Sequence, residues 1–349
     1  MVKKLSIFLV TCTLFMTAAC NQEEDPGEAE ETNSIESETN EKEEEITASS
    51  EELMEASIIL DWVPNTNHTG LYIAQEKGYF ADEGLELTIV EPAMEGALQV
   101  VAAGSADFGI ASQTAVTIAR SEEIPVVSLA AVIQEHTSGF ASPAEKDITS
   151  PEDFEGKTYG GWGGAEEEAI LNYVLNKHDV EPETVDNIIV GSADFFTNTQ
   201  RDIDFQWIFY GWTGIEAEVR NEDINMIFLK DIDPVLSYYS PVIISNETLL
   251  EENPELAEKF MAAVSKGYEY AIEHPEEAAE ILIAASPETN EELVRASQEW
   301  LSPRYKGDRE NWGIQDEEVW DNFSEWMLDA GLIEAEVNTD ESMTNEFLQ

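Results

Sequence analysis

Apolar and polar positions group into short blocks, with strand-length apolar runs separated by stretches of helical period. Residues 57–62 read as a strand, 70–77 as a helix and 85–90 as a second strand. A helix over 95–103 stops at Gly104, a third strand occupies 107–111, a third helix 113–121, and 125–134 is a largely apolar strand. After the polar stretch 142–150 the pattern restarts with a strand at 158–161, a helix at 166–178, and strands at 185–190, 205–209 and 226–229. Past Pro241 come a strand at 242–245 and long helices, among them 254–272 and 276–284. This alternation predicts an α/β fold with open, mainly parallel sheets covered by helices on both faces. Two such units with a late return segment predict two hinged lobes with a ligand cleft between them. Lobe 1 takes residues 56–142 plus 241–349 and lobe 2 takes 143–240, with crossovers near Ser142 and Pro241. Two independent dinucleotide-binding domains fit less well, because no phosphate-binding glycine fingerprint follows the first strand.

The first 55 residues break this pattern. Lys3 and Lys4 precede an apolar run, residues 5–16, that is short for a membrane span, and Thr17-Ala18-Ala19-Cys20 follows. The segment 1–19 reads as a lipoprotein signal peptide whose removal leaves Cys20 as the lipidated first residue; an ordinary secretory signal is the alternative. Cys12 would leave with the signal, so the mature chain would have no intrachain disulfide and no thiolate metal site. Residues 21–55 hold fifteen Asp or Glu against the single Lys42, with few large apolar residues. Such a segment cannot bury enough surface to offset its ordering entropy, and 20–55 is expected to be an extended acidic tether.

Charge narrows the partners. The chain carries −57; removing the +2 of the signal and the −14 of the tether leaves about −45 on the body. Nucleic acid is excluded as a natural partner, since phosphate binding needs the opposite field. Solubility in a saline or alkaline exterior accounts for the bulk of the charge.

Four segments end a strand where it can face the cleft. The first runs from Asp61 to His68: Asp61 and Asn65 offer hydrogen bonds to amino or ring nitrogens and Trp62 offers a stacking face, with a core tryptophan as the alternative. His68 suits a capping role as well as ligand contact. The second is Ser112-Gln113-Thr114, which faces the cleft or simply caps a helix. In the third, glycines flank Trp162, with Gly163 permitting close backbone approach, and Glu166, Glu167 and Glu168 open a helix. Those glutamates would repel an anion and attract a basic ring; Glu166 or Glu167 is expected to accept hydrogen bonds from it. The fourth is the aromatic run 205–212, where Tyr210 and Trp212 beside glycines are the stacking candidates; Tyr238 and Tyr239 at the second hinge add two more. No metal-ligand spacing and no cofactor motif emerge, nor does any G-x-S-x-G elbow, P-loop or H-E-x-x-H.

The stretch Leu60-Asp61-Trp62-Val63-Pro64-Asn65-Thr66-Asn67-His68-Thr69-Gly70, with Lys77-Gly78-Tyr79-Phe80 and the turn Ala103-Gly104-Ser105-Ala106-Asp107-Phe108-Gly109, resembles solute-binding proteins for thiamine-precursor pyrimidines, the ThiY type. The resemblance covers the whole body. It implies a periplasmic-binding-protein type II fold and a lipid-anchored receptor on the extracytoplasmic side of the cell membrane, monomeric by default. It further implies capture of an aminopyrimidine, hydroxymethylpyrimidine or its formylaminomethyl relative, for an ABC transporter permease. Riboflavin is the next ligand in line; taurine, sulfonate and nitrate need cations that the candidate residues lack. The same fold serves fungal pyrimidine-phosphate synthase. By alignment, that enzyme's cofactor lysine falls near Ala111, its histidine near Ala115 and its cysteine-rich segment near 236–241, where this chain has no matching groups. The resemblance therefore implies a binding protein and not an enzyme.

Overall fold

The computed structural model describes residues 53–92, 96–191 and 194–348. The signal, Cys20 and tether up to residue 52 lie outside the described residues. Among the described residues ten strands form two five-stranded sheets. The first sheet has the order β2 (Leu85–Val90), β1 (Met54–Ile59), β3 (Phe108–Ala111), β10 (Val242–Asn246), β4 (Val126–Ala131). The second runs β7 (Asp186–Ile189), β6 (Thr158–Gly161), β8 (Phe205–Phe209), β5 (Ser138–Pro143), β9 (Ile224–Phe228). Each sheet is mixed: β10 is antiparallel to β3 and β4, and β5 is antiparallel to β8 and β9. The α/β class and the two lobes are as the pattern predicts.

Three boundaries differ from expectation. Met54 and Glu55 already pair with Leu85 and Glu86, so the body starts before residue 56. The first crossover comes before Ser142, because β5 belongs to the second sheet and the chain passes between lobes over residues 132–137. The β5 sequence Ser-Gly-Phe-Ala-Ser-Pro lacks the β-branched residues that announce a strand. Its Gly139 sits so tightly against β9 that a Cβ would lie 2.1 Å from the Ile227 carbonyl oxygen. The third difference is at the C-terminal end, expected wholly in lobe 1. The helix Glu317–Asp329 instead spans both halves: Trp320 joins the apolar cluster of Val242 and Ile244, whereas Phe323, Trp326 and Met327, with Ile333, join Phe140, Tyr159 and Phe205.

Two close approaches set the first lobe's cleft edge. The helices Thr69–Glu76 and Pro254–Glu273 touch at glycines: a Cβ on Gly267 would lie 2.0 Å from the Gly70 carbonyl oxygen. Only glycine lets these backbones meet, and Tyr268 then packs over Gly70 and donates its hydroxyl to the Asn67 carbonyl at 2.6 Å. The motif aspartate Asp107 has a structural role. Its carboxylate accepts from the Ser57 amide at 2.8 Å and hydroxyl at 2.7 Å, tying the turn after the second helix to β1.

Candidate functional site

In the first lobe the chain leaves β1 through a turn that Asn65 organises. Its side-chain oxygen accepts from the Asn67 amide at 2.8 Å, and its amide group donates to the Val63 carbonyl at 3.0 Å. The Asn65 backbone N–H donates to Nδ1 of His68 at 3.3 Å, which leaves Nε2 as the protonated nitrogen; it donates to Asp61 at 2.8 Å. His68 is fully buried behind the turn and does not line the cavity between the lobes. Asp61 keeps 37% of its side chain exposed and Trp62 is 55% exposed, so a held carboxylate stands beside an open aromatic face. The helix Glu291–Lys306 anchors the turn from below through Ser297 on Thr66 (2.6 Å) and Gln298 on Thr69 (2.7 Å).

The second lobe presents Trp162, 42% exposed, from the loop after β6. Glu167 is buried beneath that loop. One of its oxygens accepts from the Tyr159 hydroxyl (2.6 Å) and the Trp162 amide (3.0 Å), the other from the Gly163 amide (2.8 Å). Gly161 must be glycine, since a Cβ there would meet the Glu167 carboxylate at 2.9 Å. Glu166 turns elsewhere, accepting from Thr114 of the first lobe at 2.7 Å and from the Tyr238 hydroxyl at 2.9 Å. Burial raises its carboxyl above the ordinary value; the Thr114 and Tyr238 hydrogen bonds pull it down, and the neighbouring Glu167 charge adds to the rise. Neither glutamate lines the cavity between the lobes.

The other hinge candidates bind one another. Gln113 exchanges backbone and side-chain hydrogen bonds with the Tyr239 backbone, both at 2.9 Å, and the Tyr239 hydroxyl accepts from the Asp316 amide at 3.0 Å. Tyr238 stacks on Phe323 at 4.1 Å. Tyr210 packs near Trp300 and donates to Glu218 at 2.7 Å. None of Gln113, Thr114, Tyr210, Tyr238 or Tyr239 lines the cavity.

The cleft cavity measures about 420 Å³. Asp61, Trp62, Asn65, Trp162 and Trp212 reach it as the sequence suggests; Gly163 shapes the loop behind. Sequence reasoning missed Asn67, Gln206, Trp207, Phe209, Thr213 and Ser240. The available signal was Gln206, a polar residue inside the otherwise apolar β8. Trp207 lies 5.1 Å from Trp162 at an interplanar angle of 60°. A relay holds it: the indole N–H donates to Ser138 Oγ (2.6 Å), whose hydroxyl donates to Nε2 of His136 (2.6 Å), whose Nδ1–H donates to the Tyr238 carbonyl (3.0 Å). Burial pushes His136 down to about 4, only partly opposed by the bond to Tyr238, so the relay uses neutral imidazole. Among the described residues no Lys or Arg lines the cavity. A larger hollow of about 810 Å³ lies by Tyr173, Asp233 and Trp326; of its five acids, Asp233 and Asp316 pair with Lys177 and Arg309. Among the described residues no cluster of three or more metal-ligating side chains occurs, and no helix is long and apolar enough to cross a membrane.

Comparison with known proteins agrees with this architecture. The family described as NMT1/THI5 like matches residues 65–278. The formylaminopyrimidine-binding protein of Halalkalibacterium halodurans is 31% identical over 291 residues, 79% of this chain and 85% of that one. The 4-amino-5-hydroxymethyl-2-methylpyrimidine phosphate synthase of Legionella pneumophila is 25% identical over 298 residues, 84% of this chain and 92% of that one. Among solved structures, the periplasmic aliphatic sulphonate binding protein SsuA from Escherichia coli superposes with a TM-score of 0.66 at 13% identity, over 83% of this chain and 92% of that one. At that identity the likeness concerns the fold, the two-lobed architecture of periplasmic binding proteins. With the family match running from the capping Asn65 through both sheets, the chain belongs to the NMT1/THI5-like family.

Proposed function

We propose that this chain is the extracytoplasmic solute-binding component of an ABC importer and captures a thiamine-precursor aminopyrimidine, formylaminopyrimidine or hydroxymethylpyrimidine. The observation that carries this reading is the cleft itself, five aromatic side chains around an exposed carboxylate, with no cation among the described lining residues. Its volume of about 420 Å³ falls at the small end of ligand sites, which suits a single substituted ring. An anion would find no cationic side chain among the described lining residues, whereas an aminopyrimidine can stack on Trp62 or Trp162 and donate its N–H groups to Asp61. Aromatic stacking adds roughly 0.5–1.5 kcal/mol per pair beyond burial, and a hydrogen bond to a carboxylate roughly 1.5–3 kcal/mol. Closure of the lobes shields those bonds from water, and the closed form is the one presented to the permease. Attachment to the membrane through a lipid on Cys20 belongs to the same proposal.

Capture, not catalysis, is the better reading of the site. Ala111 and Ala115, the positions to which the resemblance assigns the synthase's lysine and histidine, line an adjoining hollow of about 360 Å³ beside Asp61. Methyl groups there can form no Schiff base and transfer no proton. Calorimetric titration of the protein with formylaminopyrimidine, hydroxymethylpyrimidine, riboflavin and taurine tests the proposal. Tight one-to-one binding of a pyrimidine is the expected result. Binding of riboflavin or taurine alone would keep the receptor and reject the ligand, and turnover of a pyrimidine precursor would reject the receptor.

A further inference from the structure

Gln206 is only 6% exposed and borders the cleft cavity, yet its Oε1 has no hydrogen-bond partner. Buried amides are normally satisfied, and an orphaned one carries a desolvation penalty that a ligand can remove. The neighbouring amide of Asn65 makes the contrast, since both of its ends are taken up within its own turn. The sheet around Gln206 is built to hold its side chain. Across the ladder its neighbours are Gly160 on β6 and Ala141 on β5. A Cβ on Gly160 would lie 3.1 Å from Gln206 Cγ and 3.3 Å from its Cδ, so the amide rests on bare backbone.

We propose that the Gln206 carboxamide is a specificity-determining group that reads the ring edge of the ligand where an amino group adjoins a ring nitrogen. A carboxamide offers one acceptor and two donors, and such an edge offers the complementary donor and acceptor, allowing two parallel hydrogen bonds. The assignment holds whichever way the amide is turned, because rotation about its last bond exchanges the two ends. Asp61 then supplies an acceptor from the first lobe and Gln206 an amide from the second, so a ligand must bridge both to be held. This inference rests on the aminopyrimidine reading of the cleft and adds which group discriminates.

The test is a titration cycle with 4-amino-5-hydroxymethyl-2-methylpyrimidine and its 4-deamino counterpart, on the wild-type protein and on Gln206→Leu. Gln206→Met serves as a second variant of similar bulk if the first does not fold, as judged by its thermal transition. The wild type should prefer the amino compound by about 10- to 100-fold. In the variant most of that preference should vanish while affinity for the deamino compound stays within about threefold of wild type. An equal loss for both compounds, or no loss for either, would overturn the role of Gln206 while leaving the receptor intact. A wild-type protein that binds neither pyrimidine would bring down the parent reading together with this one.

Discussion

The two walls of the cleft solve one problem by opposite means. Each exposes a tryptophan, Trp62 or Trp162, and each places a buried polar side chain behind it, His68 or Glu167. On the first wall the buried group works outward: His68 links the turn backbone to Asp61 and leaves a carboxylate partly in the open. On the second it works inward: Glu167 is buried away from the cavity and accepts from the Tyr159 hydroxyl and two backbone amides. Among the described residues that line the cavity the charged one is therefore Asp61, and the second wall contributes aromatic faces and the neutral amide of Gln206. A polar residue next to a cleft tryptophan can brace the wall, as His68 and Glu167 do here.

Removing the braces tests that contrast. Glu167→Ala should be the most damaging change, lowering stability by about 3–4 kcal/mol because three donors lose a charged acceptor, and it should release Trp162. Urea denaturation and the Trp fluorescence of the folded protein measure both effects. Next comes acid. The folded His136 value of about 4 lies below its ordinary 6.5, so the unfolded chain takes up the proton first. The contribution is whole above pH 6.5, shrinks as pH falls towards 4 and is gone below it, a loss of about 3 kcal/mol. Stability profiles of the wild type and His136→Asn between pH 7.5 and 4 should converge in that window. His68→Ala should cost about 2 kcal/mol, from an orphaned Asn65 amide, and weaken ligand binding through a misdirected Asp61. A variant that unfolds more easily but binds normally would place Asp61 outside recognition. The smallest effect belongs to Glu166. Its raised carboxyl contributes stability at acid pH that fades as pH climbs through the folded value, so Glu166→Gln should flatten the stability profile on its alkaline side. An unaltered profile would mean that the link to Thr114 is solvated in solution.

The sequence exposed the architecture more readily than the chemistry. The strand, turn and helix around residues 60–78 are legible because apolar period and turn residues agree there. β5 was not, because its small residues answer to a close contact with β9, which no local pattern reports. Within the cleft, Asp61, Trp62, Asn65, Trp162 and Trp212 stand at the cavity where strand ends and glycines suggest. In the run 205–212 the sequence favours Tyr210 and Trp212, yet the cavity opens at the end of β8 and takes in Trp207 and Phe209, while Tyr210 turns to Trp300. Tyr238, Tyr239, Gln113, Thr114 and Glu166 share a place because two crossovers meet there, a fact of topology and not of spacing.

The helix Glu317–Asp329, which sets Trp320 in one half and Phe323, Trp326 and Met327 in the other, bears on how the chain is made. The first sheet lacks its strand between β3 and β4 until residue 246 has emerged, and the apolar cluster of the second half lacks a wall until Ile333 has. A polypeptide delivered from its N-terminus therefore cannot complete its first sheet before residue 246, nor the apolar cluster of its second half before residue 333. The helix Glu317–Asp329 then makes completion of the two halves depend on one late segment.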